Sequence, residues 1–562
     1  MEEKGGGNRA DAPLERFIRS PAAETCAGMN LMAAATASGL VHLCDSDDGS
    51  PRGIFCGMGV CGECTVALAD GGPARACMST CGSLAGPLQH PSPADRVETP
   101  DVLVIGGGPA GLAAARAAAL HGVEVVLLDE RDHLGGQYFK QRSAAAPNER
   151  PRDAQMIAGA DLIGEVERLG VRIHTRAIVW GAFRPLELAV MMEGQSVLFR
   201  PKRVILATGA FERAVPMPGW TLPGVMTTGA AQTLLRSHGL TAGRRILISG
   251  NGPLNFQLAH ELIEAGSRVV AVAETAPRPG LWSAVAAAGL LNAPALAAKG
   301  LSYVARILNS GAKIHYGSIL TRIEGETCAR RAHISRLDPS GYLVPGSAAS
   351  YDADVVCMGF GLQPASELAR LLGCEQYFDE VRGTFVVRAD ADCATSVPNV
   401  AIAGDGGGMV GAQAALAQGW IAGSAAARAL GRDPTRSVLS ETSRQRRQLL
   451  RHARFQASLW HLFRGPRLYH QLADQDTRIC RCENVTLAEI VRELNGGITT
   501  VGALKRATRA GMGRCQGRYC GPILANLFAE RMQVPVSDAL NFAPRPPVRP
   551  VPVGAIGRPQ ER

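Results

Sequence analysis

Residues 55–66 read FCGMGVCGECTV. Three cysteines and three glycines in so short a run exclude an ordinary core strand or helix, because glycine weakens both. Cys56, Cys61 and Cys64 have the spacing C-x4-C-x2-C, and Cys77 follows after twelve intervening residues, which is the plant-type arrangement for a 2Fe–2S cluster. Four thiolates must converge on a small inorganic core, and one loop supplies three of them only if its backbone turns tightly. Gly57, Gly59 and Gly62 permit positive φ and let amide N–H groups approach the sulfurs. A zinc knuckle is the alternative: Cys61-x-x-Cys64 would serve as half a site, but the added Cys56 argues against it. Cys81 competes with Cys77 for the fourth position.

A second group lies near the other end, in ICRCENVTLAEIVRELNGGITTVGALKRATRAGMGRCQGRYCGPI. Cys480 and Cys482 are one residue apart, and Cys515 and Cys520 follow as C-x4-C. The stretches TLAEIVREL and TVGALKRATRAG carry apolar residues at helical spacing around a Gly-Gly turn, so a helical hairpin would bring the two pairs together. One intervening residue is cramped for tetrahedral zinc. A second 2Fe–2S centre is the expectation. Cys328, Cys357, Cys374 and Cys393 stand singly and read as small core residues.

At 562 residues, with 46% hydrophobic and 19% charged residues and 65 glycines, the chain is expected to fold as several α/β domains. MEEKGGGNRADAP has no apolar leader, and no stretch has the apolar length to span a bilayer, so a cytoplasmic protein with metal-bound rather than disulfide-bonded cysteines is expected. The formal charge of +9 falls to about +5 once eight thiolates hold two clusters. The basic residues are scattered apart from RQRRQLLRHAR at 444–454, which reads as a solvated or docking helix face. Nucleic-acid binding is not expected.

After a proline-rich polar stretch comes DVLVIGGGPAGLAAARAAALHGVEVVLLDE, a strand, a glycine turn, an alanine-rich helix and a second strand ending in acid. Gly106 permits the tight turn, Gly108 lets the backbone approach a pyrophosphate at the helix N-terminus, Gly111 allows close helix packing, and Glu130 is spaced for a ribose hydroxyl. A second unit of the same kind, RRILISGNGPLNFQLAHELIEAGSRVVAVAET, has Asn255 where the third glycine belongs. Helix packing is expected to be looser there. Its Glu274 would suit NAD over NADP; the alternative is a retained fold without a working nicotinamide site.

VILATGAFERAVPMPGW (204–220) and TSVPNVAIAGDGGGMVGAQAALAQG (395–419) resemble two-dinucleotide flavoproteins, which implies FAD at the first site. That resemblance carries FAD contacts onto Gly106, Gly108, Pro109, Ala110, Gly111, Glu130, Gln137, Thr208, Gly209, Gly404 and Asp405, with Asp405 on the flavin ribityl chain. The paired cysteines of disulfide reductases are missing from LGGQYFKQR and NAPALAAKG. RGIFCGMGVCGEC resembles the ferredoxin-like domain of small subunits in hydrogen cyanide synthase, opine oxidase and sarcosine-oxidase-like enzymes. That implies a β-grasp-like fold, with its opening hairpin shortened in RFIRSPAAETCAGM. The second cysteine group is similar to bacterioferritin-associated-ferredoxin-like (BFD-like) domains. As a whole the chain resembles the α subunits of heteromeric amine and imino-acid dehydrogenases: hydrogen cyanide synthase, opine oxidase, D-hydroxyproline dehydrogenase and sarcosine oxidase α. That resemblance implies that the small ferredoxin-like subunit is fused at its N-terminus.

The expected division is a ferredoxin-like domain over 1–90, a linker over 91–100, and an α/β two-dinucleotide core over 101–435, with its second subdomain at about 215–350. A basic helical connector over 436–472, a BFD-like domain over 473–540 and a Pro/Arg-rich tail over 541–562 complete it. The resemblance implies a flavin and iron–sulfur electron-transfer subunit, whose FAD-containing β partner oxidises a C–N bond of an amino acid, imino acid or opine-type substrate. A one-electron acceptor, quinone or soluble carrier, would take the electrons. NAD(H) or another nucleotide at the second turn, and FMN at the partner interface, stay open. So do two other functions: a stand-alone NAD(P)H-dependent reductase and a redox-sensing scaffold. No catalytic residue for substrate chemistry is assignable.

Overall fold

The computed structural model describes residues 12–18, 20, 26, 28–67, 73–81, 96–143, 145–146, 153–192, 194–280, 288–465 and 471–553. The first part of the linker, 91–95, lies outside the described residues, as do 1–11 and 554–562.

The first nucleotide-binding unit is a parallel sheet in the order Val400–Ile402, Arg203–Leu206, Val102–Ile105, Val125–Leu128 and Arg172–His174. Its central strands are continuous apolar runs because both faces are covered. Alternation along the strand divides the work. Val102, Val104, Val125 and Leu127 pack under the helices Pro109–Ala119 and Ala412–Arg428. Leu103, Ile105, Val126 and Leu128 pack against the sheet formed by Ile178–Phe183, Glu187–Met192 and Gln195–Phe199. Val97–Glu98, at the end of the expected linker, pairs in parallel with Gln195–Phe199 and so joins that sheet.

The two helices approach so closely that no side chain fits between them. A Cβ on Gly419 would stand 2.0 Å from the Ala110 carbonyl oxygen, and one on Gly423 would stand 2.1 Å from that of Ala114. Glycines four residues apart share one helix face, and here that face receives the backbone of the glycine-turn helix.

The second unit repeats the plan, with parallel strands in the order Val225–Thr227, Val355–Gly359, Arg245–Gly250, Arg268–Glu274 and Lys313–Tyr316. Asn255, in the place of the third glycine, is 1% exposed. Its Nδ2 donates to the Gly359 carbonyl at 3.0 Å and its Oδ1 accepts from Thr228 Oγ1 at 2.9 Å. The wider gap is thus filled by a hydrogen-bonded amide.

Among the described residues the N-terminal domain has short strand pairs, Cys44–Asp45 with Pro51–Arg52 and Thr65–Ala67 with Pro73–Arg75, and a helix, Leu31–Ala37, capped by Asn30. Leu31, Met32, Cys64 and Cys77 share one core with Ala230, Leu234 and Leu258 of the second nucleotide unit. The connector is the helix Arg436–Leu462. Its basic face is partly tied down, with Arg446 ion-paired to Asp392. In the C-terminal domain Thr486 and Glu489 form a capping box that starts the helix Leu487–Asn495. Val501–Thr508 completes the hairpin, and a further helix, Cys520–Met532, begins on a cysteine of the second group.

Gly423→Val, which drives a branched side chain into the Ala114 carbonyl, is expected to lower stability by about 1–3 kcal/mol. A drop in the unfolding midpoint checks it.

Candidate redox site

The cysteine loop at 56–64 folds as its glycines require: Gly57, Gly59 and Gly62 have φ of 59°, 75° and 71°. The Cys56 thiol is in hydrogen-bonding contact with those of Cys61 and Cys77, and Cys77 in turn with Cys64. Backbone amides point at these sulfurs: Met58 and Cys61 at Cys56 (3.5 and 3.4 Å), Gly59 at Cys77 (3.2 Å), Glu63 at Cys61 (3.4 Å) and Cys77 at Cys64 (3.5 Å). Cys81 stands outside this chain of contacts, beside Cys26.

In the C-terminal domain Cys520 contacts Cys480, Cys480 lies 3.8 Å from Cys482, and Cys482 lies 3.8 Å from Cys515. Each group is four thiols in a row, a donor set that fits a two-iron, two-sulfide core.

Both glycine turns open into one cavity of about 1280 Å³, larger than the 300–1,000 Å³ or so of a single small-molecule site. Gly106, Gly108, Pro109, Ala110, Glu130, Gln137, Thr208, Gly209, Gly404 and Asp405 all line it. Gly111 lies beneath it, where a Cβ would meet the Gly106 carbonyl at 1.7 Å, whereas one on Gly108 would meet only Gly136, at 3.8 Å. The cradle at Gly108 is therefore open to a pyrophosphate. The buried Gln137 Nε2 has no hydrogen-bond partner, and Asp405 Oδ1 accepts from the Val410 and Gly411 amides at 2.8 and 2.9 Å. An open glycine cradle, an unspent amide donor and ample volume fit FAD.

Several cavity groups escaped sequence reasoning. Asp129, one residue before Glu130, braces the turn by accepting from the Gly107 amide at 2.6 Å. Lys140 Nζ donates to the Gln137 carbonyl (2.8 Å) and Gln232 Oε1 (2.9 Å), and burial, reinforced by Arg236 and Arg131, pushes its pKa down to about 7. Glu212 accepts from the Gly229 amide at 2.9 Å, and burial pushes its pKa up to about 7. Two groups that change charge near neutrality thus face the cavity. Only the fold brings them there from separate stretches of chain.

The tail also enters this site. Val548 is 2% exposed and its amide donates to the Trp180 carbonyl at 2.8 Å. Arg549 follows and reaches Glu130 Oε2 at 3.2 Å. Although burial would push the Glu130 carboxyl up, Arg549, Arg75 and Arg131 hold it below its ordinary range.

The second turn is built differently. Its two strands start at the same offset as those of the first unit, Arg245 with Arg268 as Val102 with Val125, but a β-bulge at Val270 then displaces the register by one: Gly250 pairs with Glu274, whereas Ile105 pairs with Leu128. Glu274 therefore occupies the place of Asp129, and Thr275 that of Glu130. Its carboxylate accepts from the Gly252 and Ala276 amides, both at 2.9 Å, and from Asn251 Nδ2 at 2.8 Å. The same Nδ2 donates to the Phe463 carbonyl at 2.9 Å, and a Cβ on Gly465 would come within 2.5 Å of Thr275 Oγ1. The end of the connector thus packs on the turn where a nicotinamide dinucleotide would lie.

The cavity borders directly on the cysteine groups. Met58 and Val60, inside the first cysteine loop, form part of its wall. Phe211, also on the wall, meets Tyr519 edge-on at 5.7 Å, and Tyr519 meets Phe55 at 5.4 Å. Phe55 precedes Cys56 and Tyr519 precedes Cys520. Among the described residues lining the cavity there is no cysteine.

Fold and site together define a two-dinucleotide flavoprotein oxidoreductase carrying a 2Fe–2S domain at either end. Residues 100–419 match the family described as pyridine nucleotide-disulphide oxidoreductase, 22–82 a 2Fe–2S iron–sulfur cluster binding domain, and 478–530 a BFD-like 2Fe–2S binding domain. The chain is 32% identical over 461 residues to an opine oxidase subunit from Rhizobium meliloti (strain 1021), with 81% of this chain and 98% of that one covered. It is 32% identical over 467 residues to hydrogen cyanide synthase subunit HcnB of Pseudomonas protegens, covering 81% and 97%. It belongs to the family of these FAD-dependent oxidoreductase subunits. The fold is shared with the L-proline dehydrogenase structure from P. horikoshii, at a TM-score of 0.66, 19% identity and 95% coverage of both chains.

Two outcomes are expected from the acids of the two turns. Burial raises Glu274 from 4.5 to about 7. A carboxyl that binds its proton more tightly when folded stabilises fully below about 4.5, and that contribution is lost as pH rises through about 7. Unfolding midpoints measured from pH 5 to 8 should fall more steeply in the native chain than in Glu274→Gln, the difference approaching about 3 kcal/mol. Arg549→Ala strands the Glu130 charge at the mouth of the first turn; the FAD dissociation constant, read by flavin fluorescence, is expected to rise about tenfold.

Proposed function

We propose that this chain is the electron-transferring subunit of a heteromeric dehydrogenase, whose partner subunit oxidises a C–N bond of an amino-acid, imino-acid or opine-type substrate. The wall shared by the cavity and the first cysteine loop, Met58 and Val60, carries this reading. An FAD held on Gly106–Gly111 is a two-electron carrier that releases electrons singly, and 2Fe–2S centres accept them one at a time. Cys56, Cys61, Cys64 and Cys77 would hold one centre, and Cys480, Cys482, Cys515 and Cys520 the other. Gly108 leaves room for the pyrophosphate, Gln137 supplies a donor, and Glu212 and Lys140 can hold or yield a proton beside the cavity near neutral pH. A soluble carrier or a quinone would take the electrons away. Among the described residues no helix is long and apolar enough to cross a membrane.

The second turn separates this reading from an independent NAD(P)H reductase. With Glu274 bracing the loop, Thr275 in the ribose position and the connector's end against Asn251, the second unit lacks what the first presents. The remaining volume, toward Leu301 and Tyr303, is where a further flavin shared with the partner would lie.

The purified chain is expected to contain one FAD and about four irons, to leave its flavin oxidised when mixed anaerobically with NADH, and to turn over no amine, imino acid or opine alone. Zinc in place of iron, rapid bleaching by NADH, or substrate turnover by the single chain would each overturn it.

A further inference from the structure

Arg481 lies between Cys480 and Cys482, and Glu63 lies between Cys61 and Cys64. The two meet in the interior. Arg481 Nε is 3.3 Å from Glu63 Oε1, with side chains 5% and 4% exposed, and Arg52 Nε approaches the other carboxylate oxygen at 3.6 Å. The Arg481 guanidinium is stacked 4.0 Å from the Phe55 ring and 4.7 Å from that of Trp220, and it donates to the Trp220 carbonyl at 2.7 Å. Arg514, next to Cys515, donates to the Gly62 carbonyl at 3.1 Å, and a Cβ on Gly62 would touch it at 2.9 Å. The ligand loops of the two cysteine groups are therefore in direct contact, joined by a buried Arg–Glu–Arg triad.

That triad has a net charge of +1, and all three side chains are almost fully buried. Burying an uncompensated charge is costly, and buried ion groups persist where an opposite charge stands close by. The neighbours on either side are the two sets of four thiols, which as cluster ligands are anionic in every oxidation state.

We propose that Arg481 and Glu63 couple the two iron–sulfur centres into one redox unit, setting the reduction potential of both; this rests on both cysteine groups holding 2Fe–2S clusters. Each centre accepts one electron from the reduced flavin and later yields it to the acceptor. At the centres themselves only the electron moves; the N–H protons of the reduced flavin would be released to solvent as its two electrons leave. Reduction adds one negative charge to a centre, so the guanidinium favours the reduced state and the carboxylate opposes it. Because the pair lies between the loops, each side chain acts on the centre held by the other domain as well as on its own. Arg481 is a positioning residue in this scheme and touches no substrate.

The test is potentiometric titration of the full chain followed by electron paramagnetic resonance, which resolves the two centres. Arg481→Gln is expected to shift the reduction equilibrium of both about tenfold toward the oxidised form, about 59 mV each. Glu63→Gln should shift both the opposite way, and Arg481→Lys, which keeps the charge, should stay near the native values. If Arg481→Gln fails to load a cluster, the Glu63→Gln shift at the C-terminal centre decides the matter. Unchanged potentials, or shifts confined to the centre whose own loop was altered, would overturn the proposal. Absence of two iron–sulfur signals from the unaltered chain would overturn the underlying reading instead.

Discussion

Electrons cross a protein only over short distances, so a chain that moves them must keep its redox groups in one interior. Here that interior is the cluster around Phe55, Trp220, Phe211 and Tyr519, in which Cys56 and Cys61 of the first group, Cys515 of the second and the inner strands of the second nucleotide unit are packed together. Across it Arg481 and Arg514 of the second ligand loop reach Glu63 and Gly62 of the first. The short strand pairs of the N-terminal domain follow from the same constraint: with Leu31 and Met32 buried against Ala230 and Leu234, that domain borrows the core that a few-residue sheet cannot supply alone.

The two glycine turns show how one inserted residue redirects a site. In the first, Asp129 braces the turn and Glu130 is left facing the cavity. In the second, a β-bulge at Val270 carries Glu274 into the bracing position, where two amides and the Asn251 side chain occupy its carboxylate. The acid survives at the conventional spacing while its role changes, because hydrogen bonding in a turn is set by strand register and not by residue count. The connector end at Phe463 and Gly465 then settles onto the altered loop.

Much of this was legible in advance. Cysteine spacing named both cluster-binding domains, since four ligands with three in one loop leave few other chemistries, and positive φ at Gly57, Gly59 and Gly62 is what the spacing demands. The strand–turn–helix–strand patterns located both nucleotide units, because hydrophobic period and glycine position are local properties. The expectation that Cys81 competes with Cys77 arose because sequence distance alone does not separate them; the contact of Cys77 with Cys56 and Cys64 does. The glycines at 419 and 423 carried a readable signal of close helix approach, but not the identity of the helix that uses it.

By itself the sequence determined the parts: which residues could turn tightly, which thiols could share a core of iron and sulfide, and which segments had the period of a strand or a helix. All of these depend on interactions within a few residues. Tertiary structure alone decided what lies beside what. Arg549 reaches Glu130 from 419 positions away and Arg481 reaches Glu63 from 418, and no local pattern encodes either pair. Such contacts exist because burying the apolar faces of separate domains brings distant chain together, and charges trapped in that burial must find one another.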